Sequence, residues 1–338
     1  MANTAIRRPF SILLLALITG LGLGCAPDDE PPADGTGSPE DAAALATADP
    51  GARGYTSADF PRVRELASGV YSYEQLRSAG EERFTTVSLF VVTDEGVLVA
   101  DGQGSVEETE RLIGTIGEIT DQPIRHVVVS SDHGDHTAGN AAFPHDVEIW
   151  AHPTSAENLR TAAAGREGAD PPPAPLPTRL VEDRETLVLG DTRIDLLFLG
   201  RAHTGGDLLV HLPDEGVLFM SETFLHRIFP AMRTAHPSEW IDMLRAAEAM
   251  NVETYVPGHG FVDDAATLTR ELTVFRQAVE RVVDEGRRLH RAGVPVEEAM
   301  VEAEFGDLES WSLRDSQGPR AIQQVYAELD GELTLAPA

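Results

Sequence analysis

The chain has 338 residues, of which 42% are hydrophobic, so it is long enough to bury a core without crosslinks, and its one cysteine, Cys25, excludes an internal disulfide. The formal net charge is −30 at pH 7, which disfavours nucleic acid as a partner because an acidic surface repels phosphate backbones. All 26 basic residues are arginine, so lysine chemistry is excluded.

The N-terminus has the pattern of an export signal. Arg7 and Arg8 precede an uncharged apolar run over residues 10–23, which is shorter than the ~20 residues that a spanning helix needs. Cys25 follows small residues and resembles the lipobox of bacterial lipoproteins; the alternative is an ordinary signal peptide with an incidental cysteine. We expect a signal peptide over 1–24 and an exported protein, periplasmic or attached to the outer membrane, that contacts membrane only through this anchor.

Residues 25–55 are predicted to form a disordered tether. They combine an acidic, proline-containing stretch at 28–32 with glycine, alanine and threonine, and they lack periodic apolar positions. A folded domain would then begin at residue 56.

The first half of that domain alternates strand and helix patterns. Ser105 and Glu108 form the pattern of a capping box before apolar residues at helical spacing, and Pro153 suits the first turn of a helix that ends near Ala164. Runs of β-branched and apolar residues predict strands at 85–92, 96–99, 126–129 and 147–151.

The second half repeats this plan. Ser238 is predicted to cap a helix that ends near Met250, and a long amphipathic helix then ends near Gly293, before a short helix that begins at Pro295. Apolar runs predict strands at 187–189, 194–199, 208–212 and 217–219. The pattern fits an α+β fold.

Three of the predicted strands end in histidine-containing turns. Directly after strand 126–129, the loop at 130–140 holds His133, Asp135 and His136, and Gly134 gives the backbone the freedom to turn. A lone histidine, His203, follows strand 194–199, and His259 stands in the turn Pro257-Gly258-His259-Gly260. Neutral imidazole and carboxylate are the ligands that zinc prefers, so these turns predict a metal site.

In this order, the motifs resemble the metallo-β-lactamase superfamily over roughly residues 60 to 262. The superfamily pattern is His-x-His-x-Asp-His, a lone His before Thr, an acidic bridging residue, and His in a Pro-Gly-His-Gly turn. The resemblance implies a four-layered αββα sandwich over 56–262, followed by a helical C-terminal extension over 263–338.

The resemblance also implies two metal sites. Asp135, His136 and His259 match the second site, which is complete. The first site has His133 and His203, but Ser131 stands where the family has its first histidine, and a hydroxyl is a poorer ligand. Glu222 stands where the bridging aspartate is usual. Two models follow: one zinc at the second site, or two zinc ions with the first bound weakly.

The function predicted is therefore that of an exported, zinc-dependent hydrolase. Zinc lowers the pKa of bound water from 15.7 to about 7, and the hydroxide would cleave an ester, lactone, thioester or amide, a β-lactam included, in a small-molecule substrate. Asp135 is the predicted catalytic residue, and His226, four residues after Glu222, is a predicted substrate contact. The alternatives are a catalytically impaired accessory lipoprotein and a mononuclear iron oxidoreductase.

Overall fold

The computed structural model describes residues 47–165 and 174–333. The predicted signal peptide, Cys25 and the tether up to residue 46 lie outside the described residues, as does most of the proline-rich connection. The last part of the predicted tether, residues 47–55, packs on the domain: Ala48 is fully buried and Arg53 forms an ion pair with Asp263 at 2.9 Å. Residues 47–55 thus belong to the folded domain.

Twelve strands and seven helices make up the described chain. The strands are β1 (Arg62–Ala67), β2 (Val70–Ala79), β3 (Glu82–Thr93), β4 (Gly96–Ala100), β5 (Ile124–Val128), β6 (Glu148–Ala151), β7 (Arg179–Leu180), β8 (Arg184–Leu189), β9 (Thr192–Leu197), β10 (Leu209–Leu212), β11 (Val217–Leu225) and β12 (Thr254–His259). The helices are α1 (Val106–Ile119), α2 (Gly134–Thr137), α3 (Pro153–Ala164), α4 (Pro237–Ala249), α5 (Ala265–Arg291), α6 (Val296–Glu302) and α7 (Arg314–Leu329).

The strands follow one hydrogen-bonded path in the order β7-β6-β5-β4-β3-β12-β11-β10-β9-β8, with β2 and then β1 added beside β3. The pairing is weakest between β3 and β12, which pair only through Thr86 and His259. This junction divides the path into an N-terminal and a C-terminal half-sheet. His259, a predicted ligand, stands at the junction itself.

The core lies on both faces of the N-terminal half-sheet. Along β3, Leu89 belongs to a large buried cluster that includes Phe219 of the C-terminal half-sheet and Trp240 of α4. The neighbouring Phe90 points to the other face, where it joins a second cluster with Leu112 of α1. Successive strand residues point to opposite faces, so one face meets the other half-sheet and one meets a helix. The predicted α+β class and αββα layering are confirmed.

Local sequence signals explain most element boundaries. Ser105 accepts a hydrogen bond from the backbone N–H of Glu108 and so caps α1 as predicted. The prediction for Ser238 was wrong: α4 begins at Pro237, and the Ser238 hydroxyl instead donates to the carboxylate of Glu328 on α7. Tertiary contact with the C-terminal extension replaced the local cap.

The long helix α5 follows from its apolar stripe, and Asp264 caps its first turn by accepting from the backbone N–H of Thr267. None of the helices in residues 47–165 and 174–333 combines the length and the apolar character that crossing a bilayer requires.

Candidate metal centre

Four chain segments deliver the predicted ligands to one place. After β5 the chain turns into the short helix α2, which carries Asp135 and His136, with His133 at its N-cap. His259 ends β12, and Glu222 lies within β11. The fourth segment is the loop between β9 and β10, which contains His203.

Asp135, His136, Glu222 and His259 form the second site. One ligand atom from each lies within 4.8 Å of all the others. Nε2 of His259 is 3.3 Å from Nε2 of His136, 3.2 Å from Oδ2 of Asp135 and 3.2 Å from Oε1 of Glu222. The structure therefore brings together the three residues predicted for this site, and Glu222, the predicted bridging residue, lies with them.

His133, His203 and Glu222 form the first site. Nδ1 of His133 is 3.1 Å from Nε2 of His203 and 2.8 Å from Oε2 of Glu222, and Oε1 of Glu222 is 3.2 Å from Nε2 of His203. Glu222 thus contacts both sites through its two oxygens. A glutamate in this place spans the pair of sites as the predicted bridging residue should.

The spacing of these atoms fits zinc. Two nitrogens at about 2.0–2.1 Å from a tetrahedral ion are about 3.3 Å apart. The nitrogens of His136 and His259 are 3.3 Å apart, and the carboxylate oxygens of Asp135 and Glu222 are at a similar separation from His259. Imidazole and carboxylate are also the donor types that zinc takes in sites without cysteine.

In two of the histidines, His259 and His133, the ring nitrogen that faces away from the site has its own partner. Nδ1 of His259 lies 3.0 Å from the carbonyl of Thr85, which accepts its proton and leaves Nε2 for the site. Nε2 of His133 lies 2.8 Å from the hydroxyl of Thr234. Such partners fix the tautomer and orientation of a ligating histidine. Both rings are therefore held with a nitrogen turned toward the ligand cluster.

The carboxylates of the site are ionised. Burial favours their neutral forms, but His259 and His136 beside Asp135 keep the pKa of Asp135 low, and His203 and His133 do the same for Glu222. Burial disfavours protonated histidine, yet Glu222 raises the pKa of His133 to about 9, and Asp135 and Glu222 raise the pKa of His259 to about 10. The cluster therefore has a strong demand for positive charge.

Ser131 lies beside the first site without adding a nitrogen to it. Its hydroxyl donates a hydrogen bond to Oε2 of Glu222 at 2.5 Å, and both side chains are buried. The hydroxyl thus supports the bridging carboxylate. The position that the resemblance assigns to a histidine ligand is used to hold Glu222.

His226 is not brought to the ligand cluster. Its ring is buried, its Nδ1 donates to the carbonyl of Phe261 at 2.8 Å, and its Nε2 lies 3.6 Å from the carboxylate of Glu271. It is absent from the described residues that line the cavity over the metal centre. The ring of His226 therefore contacts residues that follow His259 in the chain, and it does not face the cavity.

Asp101 belongs to the centre and was not predicted. It follows β4 and is fully buried, with Oδ2 3.1 Å from Nδ1 of His136 and 2.6 Å from the donating hydroxyl of Ser221, while Oδ1 accepts from the backbone N–H of Ser130. It therefore ties His136 to β11 and to the start of the metal loop. Sequence reasoning missed it because its place depends on the pairing of β4 with β5, which no local motif indicates.

A local kink in β11 aims Glu222 at the cluster. Ser221 has φ of 46°, in the left-handed region, and the pairing of β11 with β12 shifts register on both sides of it. Gly258 on β12 makes room for the kink, because a Cβ there would lie 2.2 Å from the carbonyl carbon of Ser221. The glycine of the Pro-Gly-His-Gly turn thus serves the position of Glu222.

The two sites open into a cavity of about 310 Å³. Its floor contains ligands of both sites, and its sides are partly apolar. Three residues of the C-terminal extension, Leu313, Gln317 and Arg320, also line it. The sequence pattern gave the extension no role in the site, but α7 forms part of its wall. The volume is at the lower end of the range usual for small-molecule sites, ~300–1,000 Å³.

Comparison with known proteins agrees with this geometry. Residues 82–259 match the family model described as the metallo-beta-lactamase superfamily. The chain belongs to the metallo-β-lactamase superfamily. The match covers about half of the chain and includes every predicted metal ligand.

Its relatives in the superfamily are distant. The chain is 22% identical over 219 residues to a protein named metallo-beta-lactamase type 2 from Bacillus sp. (strain 170). This alignment covers 63% of this chain and 82% of the relative. Over 177 residues the chain is 26% identical to 2,4-dinitroanisole O-demethylase subunit alpha from Nocardioides sp. (strain JS1661), covering 51% of this chain and 52% of that protein.

A solved structure supports the same fold. The metallo-beta-lactamase from Pontibacter korlensis superposes with a TM-score of 0.55 at 21% sequence identity, covering 64% of this chain and 98% of the other. At this identity the likeness concerns the fold alone.

Proposed function

We propose that the chain is an exported, zinc-dependent hydrolase that cleaves an ester, lactone, thioester or amide bond, a β-lactam included, in a small molecule. The observation that carries the proposal is the pair of donor clusters that share Glu222 and open into one cavity. The names of the two distant relatives refer to different reactions, so they support the superfamily's chemistry without selecting a substrate.

We assign a metal-binding or catalytic role to each residue of the two clusters. Asp135, His136, Glu222 and His259 would hold the ion of the second site, and a more weakly bound ion at the first site would have His133 and His203. When bound, a zinc ion lowers the pKa of a coordinated water from 15.7 to about 7 and thereby supplies hydroxide at neutral pH. Asp135 lines the cavity and is ionised, so its carboxylate can orient the attacking water and accept its proton.

The difference between the two metal sites favours the hydrolase over an iron oxidoreductase. An iron oxidoreductase of this superfamily would place its ion at the first site, where the Ser131 hydroxyl is directed at Glu222. The hydrolase proposal relies on the second site, for which all three predicted ligands converge. A catalytically impaired accessory protein remains the competing proposal, and metal content together with turnover separates the two.

The test is metal-dependent turnover by the full chain. We expect hydrolysis of at least one of nitrocefin, a nitrophenyl ester, a lactone and a thioester, loss of that activity on chelation, and recovery with zinc. Asp135→Asn should lower turnover by about 100-fold or more, since it removes a ligand and the proton acceptor. Asp121→Asn, at an exposed position before β5, is the matched control and should leave turnover unchanged.

Two results would count against the hydrolase. Turnover that persists after complete removal of metal would exclude the proposed mechanism. A purified chain that binds no zinc and cleaves none of the four substrates would support the accessory protein instead.

Export is the part of the proposal that rests on the N-terminal sequence. Production in a bacterial host should give a mature protein that begins at Cys25 and carries lipid, which mass spectrometry of the N-terminal peptide would detect. A mature N-terminus at another residue, without lipid, would indicate an ordinary signal peptide, and an intact Met1 in the cytoplasmic fraction would contradict export.

A further inference from the structure

Two arginines, Arg233 and Arg320, line the cavity that contains the candidate metal ligands. We infer that the substrate is a small molecule with an apolar body and an oxyanion group, which Arg233 and Arg320 bind. The inference rests on the proposed function, because it assigns a substrate class to the same cavity.

The first observation is that these two cations have no acidic partner among residues 47–165 and 174–333. Elsewhere most arginines form ion pairs; Arg227 with Glu271 and Arg276 with Glu248 are examples. Arg233 and Arg320 are exposed, and neither forms an ion pair or a side-chain hydrogen bond with any residue in the described part of the chain. The positive charge of these two guanidinium groups is therefore not neutralised by a carboxylate of the described chain.

The second observation is their placement. Arg233 lies in the segment between β11 and α4, and Arg320 lies on α7, so two separate parts of the chain bring positive charge to one cavity. The same cavity contains Asp135, His203 and Glu222 of the metal centre. A molecule that reaches the ligands therefore lies within the same small volume as both guanidinium groups.

A third arginine in the wall, Arg77, has a different role. Its Nε lies 3.7 Å from Oδ2 of Asp135, and its Nη1 lies 3.6 Å from the carboxylate of Glu108. Arg77 is thus already occupied by a metal ligand and a helix residue. Arg77 positions Asp135 and, because its charge already faces two carboxylates, it does not belong to the proposed anion site.

The apolar part of the wall gives the second half of the substrate's description. Hydrocarbon side chains form another part of the cavity surface, and they favour an apolar body. These are Ala79, Phe84, Leu225, Ile228, Ala231 and Leu313. A guanidinium group binds an oxyanion through two parallel hydrogen bonds, which gives charge recognition as well as geometry. The net charge of −30 would repel an anion, so local cations are needed to retain one.

The experiment measures binding to the full chain, without turnover. The probes are hexanesulfonate, whose anion is a weak metal ligand, and hexyl methyl sulfone, a neutral molecule with the same apolar chain. We expect the sulfonate to bind more tightly than the sulfone by isothermal titration calorimetry, with and without zinc. Arg320→Gln and Arg233→Gln should each weaken sulfonate binding by about tenfold and leave sulfone binding unchanged.

Arg291→Gln is the matched control. Arg291 is exposed at the end of α5, lies outside the cavity lining, and also forms no ion pair with a described residue. Its replacement removes the same charge and should not change sulfonate binding. A parallel titration with heptanoate, measured on chelated protein, tests whether the site also accepts a carboxylate. Tenfold weaker heptanoate binding by the two arginine variants would extend the substrate class to carboxylates. No heptanoate binding to the parent would restrict the class to sulfonates and sulfates.

The inference is overturned if the sulfonate binds no more tightly than the sulfone, or if Arg320→Gln and Arg233→Gln lose no more affinity than Arg291→Gln. These outcomes are distinct from failure of the proposed function. An inactive chain that still binds the sulfonate through both arginines would refute the hydrolase alone, and rapid turnover of neutral esters that is indifferent to both arginines would refute the anion site alone.

Discussion

The hydroxyl of Ser131 donates a hydrogen bond to Oε2 of Glu222 across 2.5 Å. Both positions depart from the superfamily pattern described above, which has histidine at the first and aspartate at the second. Serine is much shorter than histidine, and glutamate is one methylene longer than aspartate. The shorter side chain leaves the space that the longer one enters, so the two departures compensate for each other in one buried volume.

This relationship predicts how a second zinc site can be restored. Ser131→His alone should not raise zinc content, because the Glu222 carboxylate occupies the space that the new ring needs. Ser131→His together with Glu222→Asp should bind about one more zinc per chain than the parent, since the shorter carboxylate withdraws and three histidines then face the first site. Metal content by mass spectrometry after dialysis gives the count.

Glu222→Asp alone is the control for that experiment, and it should gain no zinc. The compensation would be disproved by a Ser131→His single variant that takes up the extra ion as fully as the double variant does.

A second prediction concerns Asp101, whose carboxylate lies 3.1 Å from Nδ1 of His136. Asp101→Asn should weaken zinc affinity by about 10- to 100-fold, because an amide can donate to this nitrogen and no longer favours the tautomer that leaves Nε2 for the metal. Competition with a chromogenic chelator measures the dissociation constant. Asp121→Asn should bind zinc like the parent. Equal affinities of Asp101→Asn and the parent would mean that His136 is oriented by packing alone.

The convergence of the candidate ligands was predictable from sequence because the histidines and Asp135 stand in short motifs at the ends of apolar strands, and the family resemblance indicated Glu222. Asp101 has no motif of its own: its role depends on β4 lying beside β5, a pairing between distant segments. Arg320 was out of reach for the same reason. It is 61 residues beyond His259, and only the packing of α7 brings it to the cavity. Ser238 is the opposite case: its local sequence predicts a helix cap, but in the structure its hydroxyl donates to Glu328, which is distant in sequence.

A third prediction tests the close approach of β12 to β11. Gly258→Ala would place a Cβ 2.2 Å from the carbonyl carbon of Ser221 and 2.6 Å from the backbone nitrogen of Glu222. We expect a loss of about 1–3 kcal/mol in the free energy of unfolding, because backbone atoms cannot move aside as a flexible side chain would. Zinc affinity should fall as well, since Glu222 is displaced.

Gly117→Ala is the matched substitution. Gly117 lies in α1 with nothing within 4 Å of its added Cβ, so alanine should stabilise the protein by about 0.5–1 kcal/mol through its higher helix propensity. Urea unfolding of both variants measures the difference. Equal effects at the two glycines would show that the crossing of β11 and β12 tolerates a side chain.

A fourth prediction concerns pH and Glu74, which is buried on β2 and pairs with Arg62 at 3.0 Å. Burial raises its pKa from 4.5 to about 7, although Arg62 and Arg64 oppose the shift. The folded state therefore holds this proton at pH values where the unfolded state has lost it. The contribution to stability is fully present below about pH 4.5 and is lost as pH rises through about 7, so the free energy of unfolding should fall over that interval.

Glu74→Gln removes this titration while keeping the size of the side chain. Relative to the parent, the variant should gain about 1–3 kcal/mol in the free energy of unfolding between pH 5 and pH 8, because the parent must ionise a buried carboxyl over that range and the variant need not. Urea unfolding across the series, with chelator present to remove metal effects, measures the two slopes. Glu81→Gln, at an exposed position beside the β2–β3 turn, should follow the parent's slope. Should Glu74→Gln keep that slope too, the ion pair with Arg62 must hold Glu74 ionised in the folded protein, and the buried proton assigned to it would not exist.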